Sequence, residues 1–260
     1  MRYRNISCAL NGFQASIVLP GPVGAHSIDE DTSYELRDCC SQLSLQDEVR
    51  IATITGSGNV FAVGRKDPPD DLIDVSVSGH VDWIAGMSVA SAFAALPMPT
   101  IAVLNGDATG HGLELAMTAD LRIAVDTARF GVGSLHDCGF PYDGATQRLP
   151  RLVGPGLARD MLLTGRALSA QEALDAGLVN RVESKADLYR AAAELAENIA
   201  AAAPIASRYA KEAAAASGDL TLAQGLRLEA DLSVILQSTW DRAEGLRSFA
   251  DKRTPEFEGR

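Results

Sequence analysis

The chain is poor in aromatic residues, in cysteine and in positive charge. Aromatic side chains make up 5% of its 260 residues, and there are four cysteines. Their spacing matches neither a metal site nor a disulfide framework, so we expect small, mostly buried thiols in a reducing cytoplasm. No apolar run is long enough to span a bilayer, and residues 1–12 lack the apolar core of a signal peptide. These absences predict a cytoplasmic protein without membrane association.

Acidic residues outnumber basic ones, with 34 Asp and Glu against 23 Lys and Arg and a formal net charge of −11. Such a surface argues against non-specific nucleic-acid binding, which needs a basic footprint. An anionic small molecule is compatible with this charge, because a few well-placed basic groups can hold one phosphate. The sequence shows no pattern that indicates a metal or a permanently bound cofactor.

Short β-rich segments alternate with helical segments up to about residue 183. Residues 50–55 and 100–104 are predicted strands that end at turn-forming residues, and one helix is predicted over about 81–96. Beyond this alternating part every segment has helical periodicity. The pattern predicts an α/β core over residues 1–195 and an all-helical region over 196–260. We expect the alanine-rich helices of that region to pack against a partner or against another copy of the chain.

Two glycine-rich turns follow the two predicted strands, at residues 56–67 and 106–112. Neither turn is a complete dinucleotide or P-loop fingerprint, so each alone is weak evidence of a site. If the strands are neighbours in a parallel sheet, both turns lie at its carboxyl edge, where open α/β sheets bind ligands. Two N–H donors that converge there on one carbonyl oxygen would form an oxyanion hole.

Four segments of the sequence resemble the enoyl-CoA hydratase/isomerase (crotonase) superfamily. They are TGSGNVFAVGRKD, PMPTIAVLNGDATGHGLELAMTADLRIA, GATQRLPRLVGPGLARDMLLTGRALSAQEALDAGLVNRV and RSFADKR. The resemblance covers roughly residues 45–255 and is specific as a set. It implies an α/β fold with a crotonase-like β-β-α spiral core and a helical C-terminal trimerisation region, assembled as a homotrimer or a dimer of trimers.

The resemblance also implies a site for an acyl-CoA, with coenzyme A present only as part of the substrate. The backbone N–H groups of Arg65 and His111 fall at the two oxyanion-hole positions. The family usually has glycine where this chain has His111. Further residues implied to bind coenzyme A or the acyl group are Phe61, Ala62, Gly64, Lys66, Gly110, Ser134, Tyr142, Phe249 and Lys252.

The acidic residues depart from the family pattern. Hydratases of the family use two glutamates to position and activate one water, and Glu114 matches the first of them. Ser134 stands at the position of the second, and a serine hydroxyl cannot take up and release a proton near neutral pH as a carboxyl group can. His136 and Asp143 lie in the same stretch of sequence and are candidates to replace the missing acid. For Asp143 the alternative is a turn-forming aspartate before a glycine.

Three functions follow from these residues. The first is isomerisation or hydration of an enoyl-CoA, in which backbone N–H groups stabilise a thioester enolate and Glu114 acts as acid or base. The second is hydrolysis of a C–C bond in a β-diketone or β-keto compound, which would use His111, His136 and Asp143. The third is a non-catalytic binding protein on the same fold.

Overall fold

The structure, a computed structural model, describes residues 2–19, 27–64, 77–133 and 140–260. The strands, in chain order, are β1 (Ser7–Asn11), β2 (Gln14–Leu19), β3 (Ile51–Gly56), β4 (Val60–Ala62), β5 (Thr100–Leu104), β6 (Asp107–Thr109), β7 (Leu121–Val125), β8 (Arg129–Gly131), β9 (Leu168–Ser169) and β10 (Arg181–Glu183). The helices are α1 (Glu30–Ser44), α2 (Val77–Met87), α3 (Ala90–Ala94), α4 (His111–Ala116), α5 (Ala145–Val153), α6 (Pro155–Thr164), α7 (Ala170–Asp175), α8 (Leu188–Ala200), α9 (Pro204–Ala216), α10 (Leu222–Leu236) and α11 (Trp240–Asp251).

The strands form two sheets between which the chain passes repeatedly. The six-stranded sheet has the order β1-β2-β3-β5-β7-β10 and is parallel except for the β1–β2 hairpin. The four-stranded sheet has the order β4-β6-β8-β9, with only β8 and β9 antiparallel. Each of β3, β5 and β7 leads into a short strand of the second sheet and then into helix. This repetition is the predicted β-β-α spiral.

The parallel pairing of β3 with β5, which the sequence left open, places the two glycine-rich turns side by side. Thr55 pairs with Val103 near the carboxyl ends of these strands. In the second sheet, β4 and β6 are also parallel neighbours, with Ala62 opposite Ala108. The sequence did not predict this second sheet, because strands of two or three residues are too short to show a period.

The single helix predicted over residues 81–96 is wrong, because the structure has α2 and α3 with a break between them. The backbone N–H groups of Val89 and Ala90, at the start of α3, donate to the carboxylate of Asp143 at 2.9 Å each. A carboxylate that satisfies these N–H groups stabilises a helix start at this point. The partner lies more than fifty residues away, so the local sequence carries no sign of the break.

The core lies between the large sheet and the helices that cover it. Cys39 and Cys40 on α1 are buried in this core, as predicted, and so is Cys8 on β1. Helix α8 packs on the large sheet with Leu188 and Leu195 buried. The predicted boundary at residue 195 falls inside this helix, whose last residues also contact the core.

The C-terminal tail folds back onto α11, which follows α9 and α10. Two buried acids hold it: Asp241 accepts from the N–H groups of Glu258 and Gly259, and Glu244 accepts from the N–H of Glu256. Within the described ranges, every helix is too short or too polar to cross a bilayer.

Candidate active site

Asn105 joins the two glycine-rich turns directly. It follows β5, is buried, and donates from Nδ2 to the carbonyl oxygens of Gly58 and Val60 at 3.1 Å each. Its Oδ1 accepts from the N–H of Gly56 at 3.0 Å. One side chain therefore forms hydrogen bonds with the backbone on both sides of the first turn. Because Asn105 itself directly precedes the second turn, it links the two turns into one unit.

Glycines allow the backbones of these turns to touch. A Cβ on Gly112 would lie 2.1 Å from the carbonyl oxygen of Ala62, and one on Gly110 would lie 2.6 Å from that of Gly64. Real Cβ atoms do not approach oxygen so closely, so any larger residue would separate the segments. Gly110 also has φ +55° and ψ −127°, a conformation available to glycine and strained for other residues.

The backbone N–H of His111, predicted as an oxyanion donor, opens α4 at the junction of the two turns. It donates to the carbonyl oxygen of Gly64 at 3.2 Å. The N–H of Gly64 in turn donates to Oγ1 of Thr109 at 3.1 Å. To bind a thioester oxygen, the His111 N–H has to share or release its bond to Gly64, so the oxyanion role of this group stays a prediction.

Glu114 lies one turn after His111 on the same face of α4. The residue is 1% exposed, and its Oε1 accepts from the backbone N–H groups of Asp143 and Ala145 at 3.1 Å each. These donors belong to the start of α5. Glu114 is thus not an exposed helix carboxylate but is fixed in the interior beside the glycine-rich turns.

Asp143 and His111 form a buried pair. Nε2 of His111 lies 2.9 Å from Oδ2 of Asp143, and the His111 side chain has no exposed surface. Asp143 also accepts from Ser88 Oγ at 2.5 Å, besides the N–H groups at the start of α3. Burial alone would raise the pKa of Asp143, but these four hydrogen bonds outweigh it and lower the pKa. The carboxylate is therefore ionised at neutral pH and can only accept.

Tyr142 covers the side of His111 that faces away from Asp143. Its hydroxyl lies 3.5 Å from Nδ1 of His111, and the two ring centroids are 5.2 Å apart. Trp83 on α2 packs edge-on against the Tyr142 ring at a centroid distance of 5.5 Å. Tyr142 is half-buried, whereas His111 and Asp143 are buried, so solvent can reach Tyr142.

The remaining predicted site residues divide into three groups. The side chains of Phe61 and Ala62 are buried in the core, so only their backbone could contact an adenine. Phe249 (86% exposed) and Lys252 lie on or just after α11, and no described contact joins them to Glu114 or His111 in the same chain. Arg65, Lys66, Ser134 and His136 lie outside the described residues.

Sequence reasoning missed Asn105, Thr109, Ser88 and Trp83 as parts of this region. For Asn105 a local signal existed, since an Asn-Gly pair after a strand marks a turn that a side-chain amide can brace. Ser88 and Trp83 had no local signal, because their partners come from residues 142 and 143. No cluster of three or more His, Cys, Asp or Glu within the described ranges is placed to hold a metal ion.

The family model for enoyl-CoA hydratase/isomerase matches residues 14–260. The chain belongs to the enoyl-CoA hydratase/isomerase family. This membership confirms the resemblance that the four sequence segments carried. It also means that the paired turns, Glu114 and the segment before α5 belong to a fold that this family uses for acyl-CoA chemistry.

Relatives within the enoyl-CoA hydratase/isomerase family match along nearly the whole chain. A crotonyl-CoA hydratase of Syntrophomonas wolfei is 32% identical over 257 residues, which cover 99% of both chains. The (E)-benzylidenesuccinyl-CoA hydratase of Thauera aromatica is 32% identical over 263 residues, covering 98% of this chain and 99% of that one. The crystal structure of an enoyl-CoA hydratase from Bacillus anthracis superposes with a TM-score of 0.92 at 34% identity, covering 99% and 100% of the two chains. The crotonase fold is thereby confirmed.

Proposed function

We propose that this protein is an enoyl-CoA hydratase-type lyase or isomerase that stabilises a thioester enolate. The observation that carries the proposal is the fixed position of Glu114. Its carboxylate is buried, is held by two N–H groups from the start of α5, and lies one helical turn from the predicted oxyanion donor at His111. Relatives of the same length are named as hydratases of acyl-CoA substrates.

In this proposal the N–H groups of Arg65 and His111 bind the thioester oxygen as it becomes negative. Preorganised donors of this kind typically contribute ~10²–10³ in rate each. Glu114 exchanges a proton with the water that adds to, or leaves from, the β-carbon. In isomerisation the same carboxylate moves a proton between carbons of the bound acyl chain. Coenzyme A enters only as part of the substrate.

The contacts of Asp143 bear on the competing C–C hydrolase. That mechanism needs an aspartate that orients a water-activating histidine, and the candidate for this histidine, His136, lies outside the described residues. Among the described residues Asp143 contacts His111, which has no exposed surface. A buried imidazole cannot reach a water on the substrate without moving Tyr142, so His111 itself is not placed to activate water.

The test compares wild type with Glu114→Gln on a panel of enoyl-CoA substrates, with calorimetric titration of coenzyme A and acetoacetyl-CoA. We expect acyl-CoA binding by both proteins and a loss of turnover of ~10²–10⁴ in the variant, the usual range for a general acid or base. Glu229→Gln, on the exposed surface of α10, is the matched control and keeps full activity. Absence of acyl-CoA binding by wild type, or cleavage of a β-diketone, overturns the proposal; binding without turnover points to a non-catalytic protein.

We also propose that the chain assembles as a homotrimer or a dimer of trimers through its C-terminal helices. Large apolar side chains are exposed on α10 and α11, which supports a further protein surface covering them; they are Leu222, Leu226, Val234, Ile235, Leu246 and Phe249. Sedimentation of the wild type and of a Leu226→Glu, Val234→Glu double variant tests this. A monomeric wild type contradicts the proposal.

A further inference from the structure

Three residues from two parts of the chain form a continuous line from the interior to the surface beside Glu114. Asp143 is buried and ionised, His111 contacts it through Nε2, and the hydroxyl of Tyr142 lies beside Nδ1 of the same ring. Because ionised Asp143 can only accept, Nε2 of His111 carries a proton. In the neutral ring Nδ1 is then the acceptor, and it faces the Tyr142 hydroxyl.

Residues 142–143 contact both His111 and Glu114. Asp143 contributes its carboxylate to His111 and its backbone N–H to Glu114, and Tyr142 directly precedes it. His111 and Glu114 are three residues apart on α4 and project to the same side. Tyr142 and Glu114 are therefore two proton-carrying groups fixed relative to each other by one piece of backbone.

Each of the three side chains, Asp143, His111 and Tyr142, is held in place by its surroundings. Asp143 is fixed by Ser88 and the start of α3, His111 by complete burial, and the Tyr142 ring by Trp83. A partly exposed tyrosine whose hydroxyl faces an imidazole backed by a buried carboxylate has the arrangement of an activated side chain: the carboxylate sets the tautomer, and the imidazole accepts the proton. The 3.5 Å separation is long for a hydrogen bond, and catalytic hydrogen bonds are often long before substrate binds and shorten when it does.

We propose that Tyr142 is the second acid–base group of the site, taking the role that a glutamate at position 134 would have, with His111 and Asp143 as positioning residues. This proposal rests on the proposed function. It applies to hydration and dehydration, in which Tyr142 acts on the proton at the α-carbon and Glu114 acts on the water at the β-carbon. It also gives the His111 side chain a reason to stand where the family usually has glycine.

Dehydration of the substrate begins with loss of its α-proton and ends with loss of its β-hydroxyl. The Tyr142 oxygen takes the α-proton of a 3-hydroxyacyl thioester as the phenolic proton moves to Nδ1 of His111, and the C–H electron pair forms the enolate. The enolate then re-forms the carbonyl and expels the β-hydroxyl, which takes a proton from Glu114 and leaves as water. Solvent returns the proton from the His111 imidazolium, which is paired with Asp143, to Glu114. Hydration is the reverse sequence.

The first test is Tyr142→Phe, which keeps the ring contacts with Trp83 and His111 and removes only the hydroxyl. We expect kcat for hydration to fall ~10²–10⁴-fold while the Kd of acyl-CoA changes less than about twofold. Tyr189→Phe, on the exposed surface of α8, is the matched control and keeps full activity. Thermal unfolding of both variants confirms that they fold.

Hydrogen exchange at the α-carbon separates this proposal from the proposed function. A saturated acyl-CoA in deuterated water has no double bond to hydrate, so its deuterium uptake reports α-proton transfer alone. We expect Tyr142→Phe to lose the uptake and Glu114→Gln to keep it, although both lose hydration. Hydration and uptake retained in Tyr142→Phe overturn the relay and leave the proposed function standing. Absence of both activities in wild type overturns the proposed function itself.

A spectroscopic readout tests the positioning role without turnover. Nitrogen-15 spectra of the four histidines at neutral pH should show His111 protonated at Nε2, and Tyr142→Phe should shift its Nδ1 resonance because the neighbouring hydroxyl is lost. Assignment uses a His111→Gln variant. A His111 ring protonated at Nδ1 instead, or an Nδ1 resonance indifferent to Tyr142→Phe, overturns the relay.

Discussion

Nε2 of His111 lies 2.9 Å from Oδ2 of Asp143, across a sequence separation of 32 residues. This contact joins the start of α4, where the two glycine-rich turns meet, to the segment that leads into α5. The same aspartate caps α3, so three elements around the candidate site depend on one carboxylate. The site is thus a set of backbone segments held in register by buried polar side chains.

Gly110→Ala should both strain and open the junction of the two turns. The left-handed φ of Gly110 costs ~1–3 kcal/mol for a residue with a side chain, and the new Cβ would collide with the carbonyl oxygen of Gly64. We expect a lower free energy of unfolding in urea and at least a ~10-fold loss of turnover. Gly156→Ala, on α6 with open space around its Cβ, is the control and should be neutral or stabilising. Equal effects of the two substitutions contradict the account of the turns.

Asn105→Asp should loosen the unit formed by the two turns. The substitution replaces an amide that donates to Gly58 and Val60 by an oxygen that repels both carbonyls. A buried group without its hydrogen bond costs ~1–3 kcal/mol, so we expect a loss of this size or more in urea denaturation at pH 7. The exposed Asn11, at the end of β1, gives the matched control Asn11→Asp. An Asn105→Asp variant as stable as this control shows that the amide does not brace the turns.

Stability of the C-terminal tail should depend on pH through Glu244. Arg253 donates two hydrogen bonds to its carboxylate, which with the N–H of Glu256 lower the pKa of Glu244 to about 2. An unfolded glutamate has a pKa of about 4.3, so this stabilisation is complete above that pH and is lost as pH falls towards 2. Thermal midpoints of wild type and Glu244→Gln should therefore differ at pH 7 and converge by about pH 2.5. A difference that is constant with pH contradicts the assignment.

Lys252→Ala should weaken recognition of coenzyme A without affecting the chemistry. Lys252 follows α11 and is exposed. In the proposed trimer it would contact a phosphate of the coenzyme A bound to a neighbouring subunit. A charge-assisted hydrogen bond to phosphate contributes ~1.5–3 kcal/mol, so KM for an acyl-CoA should rise about 10- to 100-fold at constant kcat. The corresponding acyl-pantetheine, which lacks the nucleotide, should show no change. Arg227→Ala removes an exposed positive charge on α10 and serves as the control. A similar rise in KM in this variant would show that the effect comes from the net charge of the protein and not from a contact of Lys252.

The sequence by itself determined the fold class, the two glycine-rich turns and the place of Glu114 just after the second of them. These features depend on local chemistry. Glycine allows two backbones to approach closely, and a short apolar strand before a glycine-rich turn can be recognised from the local sequence. Helix starts such as the capping box of Ser169 and Glu172 are readable for the same reason.

Only the tertiary structure decided what the side chains of His111, Asp143 and Tyr142 contact. The sequence left Asp143 between a turn residue and an acid–base group, and it gave the His111 side chain a role only in the C–C hydrolase alternative. Their partners lie about 30 to 55 residues apart along the chain, on α4, at the start of α3 and before α5. The break between α2 and α3 was missed for the same reason, because the carboxylate that caps α3 reaches it only once the sheets have brought these segments together.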